Sequence, residues 1–220
     1  YRDFISKNPP APASDKNTIM VKNVGTKITQ AVTQFLKSGG QSQRIEGFKW
    51  EYNLVNDKTV NAWCMPGGKV VVYSGILPLT QDETGLAVVL GHEIAHAVAR
   101  HGNERMSEQL LIMMGGIGLA VALSQKPQET QNVFLMCYGV GGTLGSLAYS
   151  RIHEYEADKL GLIFMAMAGY NPEKAVDFWQ RMAAQGKTNI PQFLSTHPSD
   201  ENRIKELRAF LPKAKQYYKG

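Results

Sequence analysis

Residues 92–96 read His-Glu-Ile-Ala-His. On an α-helix, His92 and His96 lie four residues apart on one face, so both imidazoles can meet a single divalent ion. Glu93 stands at the edge of the same face, where it can take a proton from water without itself ligating the ion. The neighbouring positions Leu86, Val89, Leu90 and Ala97 are apolar. Three polar groups in that setting cost desolvation unless something compensates them, and a metal does so. Zinc is the default ion for a nitrogen-and-oxygen site that keeps one position open, and one ion per chain is expected.

A catalytic zinc needs a third protein ligand. The extended pattern HExxHxxGxxH would require glycine and histidine where this chain has Ala99 and Gly102. His101 is one place off and lies about 140° around the helix from His96; it reads as a helix C-terminal residue favoured by the dipole. The alternative lies downstream. Residues 151–161 read RIHEYEADKLG, which puts Glu154 and Asp158 on one helical face. Glu154 can bind the metal while Asp158 accepts the free N–H of one metal-bound histidine. His153, about 100° from Glu154, is the competing ligand. Glu156 points elsewhere, as a solvated or salt-bridged residue. His197, in a loop before a helix, can reach into a cleft and donate to the oxyanion of a tetrahedral intermediate.

The rest of the chain bounds the fold. It has 220 residues, 43% hydrophobic and 20% charged, which excludes a mostly disordered chain and allows a core without disulfide staples. The net charge is +5, and residues 203–220 hold six Lys/Arg against one acid, so the remainder is neutral. No basic stripe crosses the body and no nucleic-acid signature is present. Cys64 and Cys137 are either buried thiols or one bridge. Residues 1–13, with Pro9, Pro10 and Pro12, read as an irregular arm. A helix is expected over 14–36, then strands over 48–54, 59–64 and 69–73. Thr80 to Glu83 has the form of a capping box, opening a helix closed by Gly102. Helices are expected over 151–168, 171–185 and from Ser199 or Asp200 to about Pro212, with 187–196 as loop. Strands early and helices late give an α+β class, mostly helical with a small sheet, in a single domain over 1–220. The apolar runs 110–123 and 132–150 are short for a bilayer, the second carrying Gly141 and Gly145 in GxxxG spacing. They read as buried or partly exposed soluble helices, with membrane-apposed helices as the alternative.

Four blocks occur in order: VNAWCMPGGKVVVYSGIL (60–77), GHEIAHAVARH (91–101), SRIHEYEADKLGL (150–162) and THPSDENRI (196–204). Together they resemble the gluzincin peptidase family M48, which includes HtpX heat-shock proteases, CAAX prenyl-protein endopeptidases and bacterial envelope lipoproteins of the LoiP and BepA type. The resemblance implies a zincin fold with zinc on His92, His96 and Glu154. It implies Glu93 as general base, Asp158 behind the ligands and transition-state stabilisation by His197. It implies that Arg203 orders the His197 loop, and that the Asn61-Ala62-Trp63 strand is the edge on which a substrate backbone lies. The expected function is a zinc metalloendopeptidase acting on unfolded or misfolded polypeptides in cell-envelope quality control. The chain departs from the membrane-embedded branches and from the helical-repeat extension, so the compact soluble branch is expected. That branch implies the periplasmic side and an anchor either lipid-borne ahead of Tyr1 or formed by the apolar helices 110–150. Two other classes stand beside it: a latent metal-binding chaperone or scaffold with an occluded cleft, and a membrane-surface binding module.

Overall fold

Val21, Val24, Ile28, Val32 and Leu36 recur at helical spacing, and all are buried along one stripe of α2 (Lys16–Ser38). Asp15 opens this helix, its Oδ1 accepting the N–H groups of Asn17 and Thr18 at 2.8 and 3.0 Å. The stripe packs on a three-stranded sheet and on the helix that carries HEIAH, α4 (Glu83–Ala99). A computed structural model describes residues 1–186, 190–198 and 201–219. It divides into two compact units, residues 1–99 with 155–220, and residues 100–154.

In the larger unit the sheet runs β1 (Glu51–Val55), β3 (Lys69–Tyr73), β2 (Ala62–Met65). β1 is parallel to β3, and β2 is antiparallel to it. Leu54, Ala62, Val70 and Val72 face the helical core, so β2 presents one face to α4 while its outer edge pairs with no strand among the described residues. The arm is not irregular throughout. Residues 2–7 form a helix, α1 (Arg2–Lys7), and only then do the prolines impose extended chain. Pro10 bridges Val55, and the Ala11 N–H donates to the Leu54 carbonyl at 2.8 Å.

The capping box is not used. Thr80 ends a short helix, α3 (Leu77–Thr80), with its hydroxyl on the Leu77 carbonyl. Gln81 then turns at φ 68°, and the Asp82 carboxylate accepts the Gly85 N–H at 2.8 Å to cap α4. α4 stops at Ala99 because Arg100 adopts the left-handed conformation, φ 66°; Gly102 lies in the following helix. Beyond the long sixth helix, Gly169 (φ +85°) makes the expected stop. α7 (Lys174–Gly186), α8 (Gln192–Thr196) and α9 (Glu201–Lys215) follow. The expected loop thus contains a helical turn, and the expected caps Ser199 and Asp200 lie outside the described residues.

The smaller unit is a helical hairpin, α5 (His101–Leu123) and the first part of α6 (Gln128–Met167). The Tyr138 hydroxyl donates to the Ile112 carbonyl at 2.9 Å, and Gly142 leaves room for Ile112. Of the readings of these runs, full burial does not hold, while partly exposed and membrane-apposed helices both fit. α5 extends the apolar run backward through residues 101–109 to 23 residues, and α6 is unbroken for 40. No core covers them: Leu111 is 71% exposed, Val121 68%, Met136 70% and Leu144 63%. Both helices are long and apolar enough to cross a membrane.

Candidate active site

The site is built from α4, the C-terminal half of α6, His197 and Pro198 just after α8, and Arg203 on α9. α4 and α6 approach closely at Gly91 and Gly161. A Cβ on Gly91 would lie 2.9 Å from the Gly161 carbonyl oxygen, and one on Gly161 would lie 3.0 Å from the His92 nitrogen. This contact brings Asp158 to His92, with Asp158 Oδ1 2.9 Å from Nδ1. The carboxylate fixes the tautomer, so His92 presents Nε2 as its lone pair.

Asp158 is held in turn by Arg203, whose Nε and Nη2 donate to its two oxygens at 2.7 and 2.9 Å. The Arg203 Nη1 donates to the carbonyls of His197 and Pro198 at 3.2 and 3.0 Å, and the guanidinium lies 3.5 Å from the Trp179 ring centroid. One buried arginine therefore joins His92, through Asp158, to the backbone of His197 and Pro198. Burial alone would raise the Asp158 pKa; the Arg203 charge, then the His92 and Arg203 hydrogen bonds, outweigh it and hold the carboxyl below its usual range.

His96 Nε2 lies 3.1 Å from His92 Nε2. Two nitrogens bound at about 2.0–2.1 Å to a tetrahedral ion stand about 3.4 Å apart, so this spacing suits a shared cation. Glu154 lies one residue before Tyr155 on the unbroken α6, where the larger unit resumes. One ligand atom each from His92, His96, Glu154 and His197 fall within 4.8 Å of one another, and His92 and Glu154 are buried. Two imidazoles, a carboxylate and a further imidazole form a donor set suited to a divalent transition metal. The structure thus brings His92, His96 and Glu154 together. It also places His197 within the donor group: its Nδ1 lies 3.2 Å from His92 Nε2 and its Nε2 lies 3.2 Å from Glu93 Oε1. Glu93 itself is buried, beside the ligands.

His153, the competing ligand, is committed elsewhere. Its ring stacks on His101 at 4.2 Å and 11°, and its Nε2 lies 2.9 Å from Glu104 Oε2. His101 is buried and opens α5, so it is not the C-terminal residue of the HEIAH helix that the sequence suggests. Glu156 is exposed, as expected.

On β2, the Tyr73 N–H donates to the Asn61 carbonyl at 3.1 Å, and Trp63 is registered with Val71. Backbone pairing alternates along an antiparallel ladder, so Asn61 and Trp63 turn their backbone groups toward β3. Ala62 and Cys64 turn theirs to the open edge. The Ala62 N–H is taken by the Asn61 side chain at 2.9 Å, which leaves the Ala62 carbonyl and the Cys64 N–H and carbonyl along that edge. Cys64 was not among the sequence candidates; side-chain alternation shows which face a residue takes, not which backbone edge is unpaired. Its thiol is free, as is that of Cys137. Burial pushes the Cys64 thiol up, and the Glu93 carboxylate adds to the shift, so Cys64 is a neutral side chain near Glu93. Trp179, which stacks under Arg203 and meets His92 edge-on at 5.5 Å, carries no sequence signal beyond lying in an expected helix.

A donor group of three imidazoles and a carboxylate, with the buried Glu93 carboxylate beside it and an open sheet edge alongside, has the layout of a metallopeptidase-class site. The family profile described as Peptidase family M48 matches residues 25–211, and the chain belongs to that family. Among relatives, it is 35% identical over 216 residues to the mitochondrial metalloendopeptidase OMA1 of Saccharomyces cerevisiae, covering 94% of this chain and 59% of that one. It is 34% identical over 179 residues to the mitochondrial metalloendopeptidase OMA1 of Homo sapiens, covering 77% and 34%. It is 31% identical over 170 residues to the beta-barrel assembly-enhancing protease of Yersinia pestis, covering 72% and 34%. The chain spans about a third to three fifths of the length of these relatives.

Proposed function

We propose that this chain is a zinc metalloendopeptidase domain, using one zinc ion to hydrolyse peptide bonds in unfolded or misfolded polypeptides. The observation that carries the reading is the convergence of His92, His96 and Glu154 with Glu93 alongside. Bound zinc supplies a Lewis acid that polarises the scissile carbonyl and acidifies water. Glu93 takes the proton from the attacking water and passes it to the leaving amine. Asp158, braced by Arg203, keeps His92 in the ligating tautomer. His197 donates to the developing oxyanion. The backbone of Ala62 and Cys64 takes the substrate as an added strand, with Asn61 and Trp63 shaping that edge.

The test pairs metal content with cleavage of unfolded casein, which is expected to be abolished by chelator and restored by zinc. Glu154→Ala is expected to lose the metal, lowering affinity by at least about tenfold, because two imidazoles alone leave the ion under-coordinated. Zinc retained at wild-type stoichiometry by elemental analysis shows that Glu154 is not a ligand.

The position of His197 supports a second reading, in which it acts as a fourth protein ligand and the domain is latent until a substrate displaces it. In that case His197→Ala raises, not lowers, basal casein cleavage.

The exposed hairpin supports a seat at a membrane, and the resemblance to envelope proteases supports the periplasmic side, in protein quality control. The 18-residue apolar window of α5 spans about 27 Å, close to the thickness of a hydrocarbon core of about 30 Å. The protein is expected to float with vesicles of phosphatidylcholine and anionic phosphatidylglycerol at both low and high salt, and Ile117→Lys with Leu144→Lys is expected to abolish this. Flotation lost at high salt alone assigns the contact to the basic tail instead.

A further inference from the structure

The N-terminal segment lies ahead of the matched family region, 25–211, and it covers the sheet face turned away from α4. Ala62 and Cys64 face the helical core, so Trp63, between them, projects from the opposite face. There the Phe4 ring meets Trp63 edge-on at 5.0 Å and Tyr73 at 6.2 Å, and Trp63 Nε1 donates to the Tyr73 hydroxyl at 3.4 Å. The segment is tied down on both sides of Phe4. Before it, the Tyr1 hydroxyl is hydrogen-bonded to Glu51 and Asn53 on β1. After it, Pro10 and Ala11 are held against Val55 and Leu54. Residues 1–11 therefore start on β1, reach across to the side chains of β3 and β2, and return to β1.

β2 needs such a brace. It is four residues long and, among the described residues, pairs with no strand but β3, which leaves its other edge open. A peptide that adds as a strand gains most when the receiving backbone is already fixed, because ordering it on binding costs affinity. We propose that residues 1–11 are a strap that preorganises the substrate edge, with Phe4 as the positioning residue acting through Trp63 on the Ala62 carbonyl and the Cys64 backbone. This rests on the reading of β2 as the substrate edge. Phe4 touches neither the donor group nor Glu93, so its effect falls on substrate binding and not on the chemical step.

The test is a double-mutant cycle on the zinc-loaded protein with a quenched fluorogenic peptide cleaved by the wild type. Phe4→Ala is expected to raise KM about five- to tenfold, the scale of a lost aromatic pair. The kcat should stay within about twofold and metal stoichiometry should not change. Trp63→Ala is expected to raise KM similarly, the double variant no further than either single, and Phe4→Tyr to restore the wild-type value. Additive effects of Phe4→Ala and Trp63→Ala overturn the strap, as does a fall in kcat or metal content that accompanies any rise in KM. If Trp63→Ala raises KM and Phe4→Ala does not, the strap is wrong and the edge reading stands. If neither changes KM, the edge reading itself fails and the strap with it.

Discussion

Glu93→Gln is expected to keep the fold and the metal and to lose at least about a thousandfold in casein cleavage. Glutamine matches glutamate in shape, so it fills the same buried position and can still accept from His197 Nε2, which lies 3.2 Å from Glu93 Oε1 in the wild type. What it cannot do is take a proton. The donor atoms of His92, His96 and Glu154 are untouched, so elemental analysis should return wild-type metal. Cleavage near the wild-type rate by a metal-loaded Glu93→Gln protein removes Glu93 from the base role.

Arg203→Met should act on stability as strongly as Glu93→Gln acts on rate. Arg203 is 1% exposed and Asp158 5% exposed, and the pair is doubly hydrogen-bonded. Methionine keeps the apolar stem over Trp179 but leaves a buried carboxylate without its cation, a loss of about 3–5 kcal/mol. For a chain of this length the midpoint should fall by about 10 °C, measured with chelator present in both proteins. Arg203→Met with Asp158→Asn should recover part of the loss, since no buried charge is then stranded. The pH dependence follows from the lowered Asp158 pKa. A carboxyl with a depressed folded-state value stabilises fully above its unfolded pKa of about 3.9, and that contribution disappears as pH falls through the folded value. Without Arg203, burial raises the carboxyl, so the variant's acid unfolding should move to higher pH. A midpoint and acid limb like the wild type's would show that the Arg203–Asp158 pair does not brace the site.

The parts of this site that were legible in the sequence share a physical basis. His92 with His96 and Glu154 with Asp158 are each four apart, and helical geometry turns that spacing into a shared face whatever the tertiary context. His197 was legible locally only as a loop histidine able to reach a cleft, and Arg203 only through the resemblance, because no local rule says that a residue in a final helix returns to a carboxylate on an earlier one. The errors are equally specific. The RIHEYEAD cluster resembles the start of a new helix, yet α6 runs through it from Gln128 to Met167, with Glu154 and Asp158 buried. The hairpin was underestimated because apolar runs were counted between charges, while α5 continues through Glu104, Arg105 and Glu108. Thr80 has the residues of a capping box, but Asp82 lies closer to the helix it caps. Three prolines concealed the short helix of the arm because all of them fall after it.

Gly91 and Gly161 touch no substrate and hold no metal, yet they set the gauge between α4 and α6, on which the His92–Asp158 hydrogen bond depends. A methyl group on either would push backbone against backbone, with no flexible side chain to yield. Cation ligation tolerates only a few tenths of an ångström in bond length. Two hydrogens in place of two side chains thus do the work of a machinist's shim, and the metal chemistry of the fold inherits its tolerance from them.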